Sequence, residues 1–175
     1  MSEAEKWTEP PAVDQALMRR VCGHYATGVA IVSTMTDAST PVALTVNSFT
    51  SVSLSPPLVS WSLRIDSPNR HHFEKGSAFA ISILGERQND LAMHFARPKD
   101  NKFEGIDHRL GSLGAPIVEG GIAHLECRPY RFLEAGDHVI FLWEVVDACQ
   151  SEDHAPLAFY GGRFHKIAPL VEQLA

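Results

Sequence analysis

The chain has 175 residues, 15 of them basic and 21 acidic, for a formal net charge of −6. That length sets one domain with a sizeable core. The acidic balance, without any Lys/Arg cluster, argues against nucleic acid or an anionic membrane surface as a partner.

In chain order, residues 1–12 read as a loose arm ending at Pro10-Pro11, residues 13–168 as one domain, and residues 169–175 as a tail. The N-terminus lacks the basic-then-apolar order of a signal peptide, and no apolar run reaches spanning length. Cys22, Cys127 and Cys149 are odd in number and widely spaced, with no C-x-x-C. They suit a reducing compartment rather than a disulfide framework, so a cytoplasmic location is expected. Asp14 is a candidate N-cap for a helix over about 15–25, with Leu17, Val21 and Tyr25 on one stripe. Gly28 to Thr34 is rich in β-branched residues and reads as a strand, followed by a turn through 37–41.

The stretch from Val42 to Leu63 organises the rest, because no charged residue lies between Asp37 and Arg64. Val42, Leu44 and Val46 alternate with Ala43, Thr45 and Asn47, and the alternation resumes after Phe49 and again after Pro56-Pro57. This is the period of strands with two unlike faces. The uncharged polar face is either the wet side of an antiparallel sheet or a cleft in which Thr45, Asn47, Ser48, Thr50 and Ser51 meet a ligand rich in hydrogen-bonding groups. The pattern itself leaves both open.

Further on, Pro68 suits the first position of a short helix through Phe73, and Ser77 to Leu84 alternates as a strand. A helix is expected over 87–95, stopped by Pro98, and 99–120 reads as irregular and Gly-rich. Ile122 to Leu133 and His138 to Cys149 form two long strands joined through Gly136, with a short strand at 157–160 and one more at 163–167. Many antiparallel strands with a few short helices predict a mainly β fold, a barrel closed on itself so that no edge is exposed.

Phosphate-loop, dinucleotide-fingerprint, nucleophile-elbow and H-E-x-x-H motifs are all absent. Of nine histidines only His71-His72 are close in sequence, and adjacent positions do not face one metal, so no metal site is expected. His138 opens a strand directly after Gly136-Asp137. It is either a turn residue or an imidazole at a barrel rim. Lys102 is either a solvated cation or, beside hydroxyls, part of an oxyanion grip.

Taken together, T-G-V-A-I-V-S-T, T-V-N-S-F-T-S-V-S-L-S-P-P-L-V, K-F-E-G-I-D, L-E-C-R, E-A-G-D-H-V-I-F-L-W-E-V and F-Y-G-G-R-F resemble the short-chain NAD(P)H:flavin oxidoreductases. These supply reduced flavin to two-component monooxygenases, and the resemblance covers about residues 15–167. It implies a split β-barrel of Greek-key-like topology that binds FMN or FAD, usually as a homodimer. It further implies that Thr45, Asn47, Ser48, Phe49, Thr50 and Ser51 wrap the isoalloxazine and ribityl parts, and that Ser67, Lys102 and Phe103 lie on the phosphate side. His138 matches the G-D-H histidine near the nicotinamide, and Tyr160 and Arg163 match a segment beside the pyridine nucleotide of NADH or NADPH. The activity so implied is flavin reduction for a partner monooxygenase. Two alternatives are a split-barrel flavoprotein that keeps its flavin and acts on an organic substrate, and a flavin-binding barrel without catalysis.

Overall fold

A computed structural model of the chain describes residues 13–151 and 155–168; the arm 1–12 and the tail 169–175 lie outside the described residues. In chain order the elements are α1 (Gln15–Cys22), β1 (Thr27–Gly28), β2 (Ala30–Met35), β3 (Pro41–Val46), β4 (Thr50–Leu54), β5 (Pro57–Arg64), α2 (Arg70–Lys75), β6 (Phe79–Ile83), α3 (Asn89–Ala96), β7 (His108–Leu110), β8 (Pro116–Val118), β9 (Ala123–Ala135), β10 (His138–Gln150), β11 (Leu157–Tyr160) and β12 (Arg163–Lys166). The fold is mainly β, as the strand periodicity predicts.

The main sheet has seven strands in the order β3-β2-β6-β9-β10-β5-β4, all paired antiparallel. Its two ends are not hydrogen-bonded to each other, so the barrel is split rather than closed, and β3 and β4 remain as edges. The sheet nevertheless rolls up. Ala30 and Val32 from β2, Val46 from β3, Trp61 from β5, Phe79 and Ile81 from β6 and Phe141 and Trp143 from β10 all pack in one cluster, which a flat sheet would hold apart. Trp143 stacks on Phe79 with ring centroids 4.1 Å apart, and Trp61 stacks on Phe141 at 4.8 Å. Offset and edge-on aromatic contacts of this kind add to the burial energy of large rings.

A second cluster lies outside the roll. There α3 sets Ala92 and Phe95 against Ile31 and Ala43 of β2 and β3, with Phe103 and Leu157 filling in. The face of β3 that carries Ala43 and Thr45 is therefore covered by a helix rather than wet. A three-stranded sheet, β1-β11-β12, stands beside this layer.

Three local expectations shift. The first helix stops at Cys22, where the Gly23 N–H caps onto Arg19 O, and its stripe of Leu17, Val21 and Tyr25 is exposed. Amphipathic spacing marks a face but not what covers it. The second helix starts at Arg70, because Ser67–Arg70 forms a turn closed by Arg70 N–H to Ser67 O at 3.1 Å. The segment read as irregular holds the β7–β8 hairpin, two strands too short to show a period. The hairpin is tied down by Glu126 of β9. Its buried carboxylate accepts from Ser112 N–H, Ser112 Oγ and Leu113 N–H at 3.1, 2.9 and 3.0 Å. Between β9 and β10 the turn holds Gly136 at φ 63°, a conformation costly for a residue with a Cβ.

Candidate functional site

Because β3 is a sheet edge, its backbone decides what can bind there. Strand β3 pairs with β2 alone, Val46 opposite Ala30 through Pro41 opposite Met35. In an antiparallel ladder, residues alternate between exchanging both backbone bonds and exchanging none. The Ala43 carbonyl accepts from Lys102 Nζ at 3.4 Å, so Ala43 turns its backbone groups away from β2. By the same alternation Thr45 does too. A row of backbone donors and acceptors thus faces outward along this edge.

Two concavities run along it. The first, of about 200 Å³, is lined by Thr45, Asn47 and Ser48, by Ser62 and Arg64 from the end of β5, by Phe95 of α3 and by His138. The second, of about 520 Å³, is lined by Pro41–Leu44, Ser67–Asn69, Pro98–Asn101 and Lys102. They share Leu44 and Ala96 and make one trough. Helix α3 ends before Pro98, as that proline requires, and its last turn forms the trough's wall.

Several hydroxyls that the sequence suggested for a ligand are engaged in holding these walls. Thr45 Oγ1 donates to Ala92 O at 2.6 Å, tying β3 to α3. Ser48 Oγ donates to Ser62 O at 3.3 Å and accepts from Ser62 N–H at 3.0 Å, closing the gap left between β3 and β5. Asn47 is exposed and lines the trough. Thr50 and Ser51 are exposed on β4 and do not line it, while Phe49 packs against the aromatic core.

At one end His138 begins β10, paired with Arg64 on β5. Its Nδ1 lies 2.7 Å from Asp137 Oδ1, so Nδ1–H donates to the carboxylate and leaves Nε2 for a ligand. The hydrogen bond to His138 holds the Asp137 carboxyl below the usual carboxylate range. Beside it, Arg64 grips Asp66 through two bonds of 2.9 and 2.7 Å.

Toward the other end, Lys102 Nζ donates to Phe95 O at 2.7 Å as well as to Ala43 O, and His94 Nε2–H fixes the Lys102 carbonyl at 2.6 Å. Burial pushes the Lys102 ammonium below its ordinary value, yet its three donors have two carbonyls to serve. One N–H is left for an anion. Ser67 lines the same cavity, whereas the Phe103 ring is buried against Phe95 and His108.

Tyr160 and Arg163 stand elsewhere, on β11 and β12. Tyr160 OH meets His24 Nδ1 at 3.3 Å and borders a cavity of about 450 Å³ with Arg19 and Arg20. The sequence reading missed Ser62, Arg64 and Ala96. Alternation already put Ser62 on the polar face, but the meeting of β5 with α3 depends on nonlocal strand order.

Uncharged donors along an edge, one partly free ammonium and a rim imidazole suit an anionic ligand with a flat polar ring. They do so without burying an unpaired charge. Among the described residues no group of three His, Cys, Asp or Glu is placed to hold a metal.

The chain was compared with known proteins. It is 42% identical over 161 residues to an NADH-dependent FAD reductase of Streptomyces globisporus, covering 89% of this chain and 87% of that one. It is 33% identical over 158 residues to HsaB, the reductase subunit of a flavin-dependent monooxygenase of Rhodococcus jostii, covering 90% and 80%. The solved structure of Streptomyces globisporus NADH:FAD oxidoreductase SgcE6, in complex with NAD and FAD fragments, superposes with a TM-score of 0.85 at 41% identity, covering 91% and 96%. The family model described as flavin reductase like domain matches residues 22–168, so the chain belongs to that family.

Proposed function

We propose that the chain binds a flavin, FAD or FMN, along the β3 trough and reduces it with NADH, supplying reduced flavin to a separate monooxygenase. The observation that carries this reading is the shared lining of one groove by the outward edge of β3, Asn47 and His138. A bound flavin would supply the redox chemistry as the hydride acceptor, and its reduction would leave negative charge on the ring. Outward N–H groups of Thr45 and its neighbours stabilise that charge without a buried cation, whose desolvation is costly. Lys102 and Ser67 hold the phosphate, and His138, anchored by Asp137, orients the nicotinamide through Nε2. The protein's part is alignment rather than acid or base work. The match to NADH-dependent reductases and to a monooxygenase's reductase subunit supports both the hydride donor and the partner.

The active form in this reading is a homodimer in the cytoplasm. Leu54 is 93% exposed and Tyr130 55% exposed on strands that carry further apolar residues, an area that a second copy would cover. Cys22 and Cys149 are free and exposed, which fits a reducing compartment. Among the described residues no helix is long and apolar enough to cross a membrane.

The test is aerobic NADH oxidation by purified protein with FMN, FAD and riboflavin, alongside sedimentation of the protein. Turnover that requires added flavin is expected, from a species of twice the chain mass. Flavin that stays bound with slow NADH turnover would instead favour an enzyme acting on an organic substrate.

A further inference from the structure

Flavin reduction brings together two molecules that each carry phosphate, and the trough offers a cation toward each end. Lys102 stands in the larger cavity. In the His138 groove, Arg64 is the one Lys or Arg among the described lining residues. Arg163, which the family resemblance sets beside the pyridine nucleotide, sits on β12 and lines neither cavity.

The strands decide where Arg64 stands. It ends β5 and lies directly opposite His138 at the start of β10. Opposed residues of an antiparallel pair share a face, with Cβ atoms about 4.5–5.5 Å apart. Guanidinium and imidazole therefore rise from one rim. Asp66, two residues on, accepts from Arg64 Nε and Nη2 at 2.9 and 2.7 Å, which takes one edge of the guanidinium and fixes its plane. Of its five N–H donors three remain, and Nη1 has no partner among the described residues. The side chain is 57% exposed, so this second edge is open to a ligand lying across the rim. The Asp66 carboxylate offsets the charge of Arg64, and Asp137 adds another carboxylate turned toward His138. The rim is thus no general attractor of anions. Arg64 offers instead a short fork in a set plane, the shape that grips a phosphate with two bonds.

At about 200 Å³ the His138 groove is smaller than a site for a whole ligand. The charged remainder of a pyridine nucleotide whose ring meets His138 must lie outside it, over the rim. We propose that Arg64 holds the nicotinamide-side phosphate of NADH through its Nη1/Nη2 edge, while His138 orients the ring one ribose away. This deepens the flavin-reductase reading and rests on it. Arg64 is then the residue that sets the register of the hydride donor, and Lys102 the one that sets the register of the flavin.

Calorimetry on the wild type, Arg64→Met and Arg64→Lys tests it. The probes are FMN and riboflavin and, with FMN present, NAD⁺, nicotinamide mononucleotide and nicotinamide riboside, the last two differing by one phosphate. Arg64→Met should weaken the mononucleotide and NAD⁺ about tenfold and leave the riboside unchanged, as loss of one charge-assisted grip does. Arg64→Lys recovers only part, because an ammonium lacks the fork. In turnover, Arg64→Met raises KM for NADH about tenfold with kcat little changed. Unaltered urea midpoints report that the variants are folded. An equal loss for riboside and mononucleotide overturns the proposal, as does mononucleotide binding that is absent in the wild type or unaltered in Arg64→Met. So does a loss for FMN that spares riboflavin, which would move Arg64 to the phosphate of the flavin. A wild type that binds no FMN counts against the flavin reading alone, since the mononucleotide–riboside difference still decides Arg64.

Discussion

The inside of the rolled sheet and the trough on its edge are built from opposite materials. Inside, Trp61, Phe73, Phe79, Phe141 and Trp143 meet ring to ring and are fully buried. On the edge, the β3 backbone, a few hydroxyls and one ammonium hold short polar contacts around open space. The difference teaches where each free energy goes. The aromatic roll fixes the strands, and it leaves β3 and β4 unjoined so that the edge backbone stays available. Changes inside the roll should therefore cost stability, and changes on the edge should cost binding or turnover.

The sharpest break of that division is Trp143→Ala. Trp143 is 1% exposed and stacked on Phe79 at 4.1 Å, so its loss should lower the unfolding free energy by about 3–5 kcal/mol in urea titration. A loss below about 1 kcal/mol would mean the roll is not what holds the sheet. Next is His138→Ala, expected to lower kcat/KM for NADH about tenfold to a thousandfold in stopped flow. Flavin affinity and urea midpoint should hardly move, and an unchanged rate would remove His138 from the reaction.

Lys102→Met keeps the length of the side chain and removes the ammonium. Flavin affinity should fall about tenfold to a hundredfold by fluorescence quenching, while stability falls by only about 1–2 kcal/mol for the two carbonyls left behind. Equal affinity in the variant would place the phosphate elsewhere. The smallest effect belongs to Glu126. Burial pushes its carboxyl up, but the bonds from Leu113 and Ser112 together outweigh this and hold it below the ordinary 4.5. Its contribution is thus complete above pH 4.5 and is lost as pH falls through the depressed value. Glu126→Gln should flatten the fall of stability below pH 4.5 by about 1 kcal/mol, with trough binding unchanged.

The two regions also differ in how far the sequence exposes them. Strands β2, β3, β5, β6, β9 and β10 are all legible: β2 by its β-branched content, β3, β5 and β6 by alternation of apolar and polar residues, and β9 and β10 by their long strand-like runs. The β7–β8 hairpin is not, because three residues carry no period and its anchor, Glu126, lies on another strand. The trough is legible only in part. Its residue types stand out as an uncharged polar run, but the use of Thr45 and Ser48 as clasps depends on Ala92 and Ser62, distant in sequence. The free edge is set by strand order, and no local pattern announces that β3 has one neighbour. For the same reason a closed barrel is the natural expectation where a split one forms.

Residue-resolved amide exchange on adding FMN most directly tests whether the outward edge of β3 holds the ligand. The account predicts that Ala43, Thr45 and Asn47 amides slow markedly when FMN binds. Those of Val42, Leu44 and Val46, already paired with β2, should change little. Unchanged exchange along β3, with protection appearing instead around Tyr160 and Gly161, would contradict it.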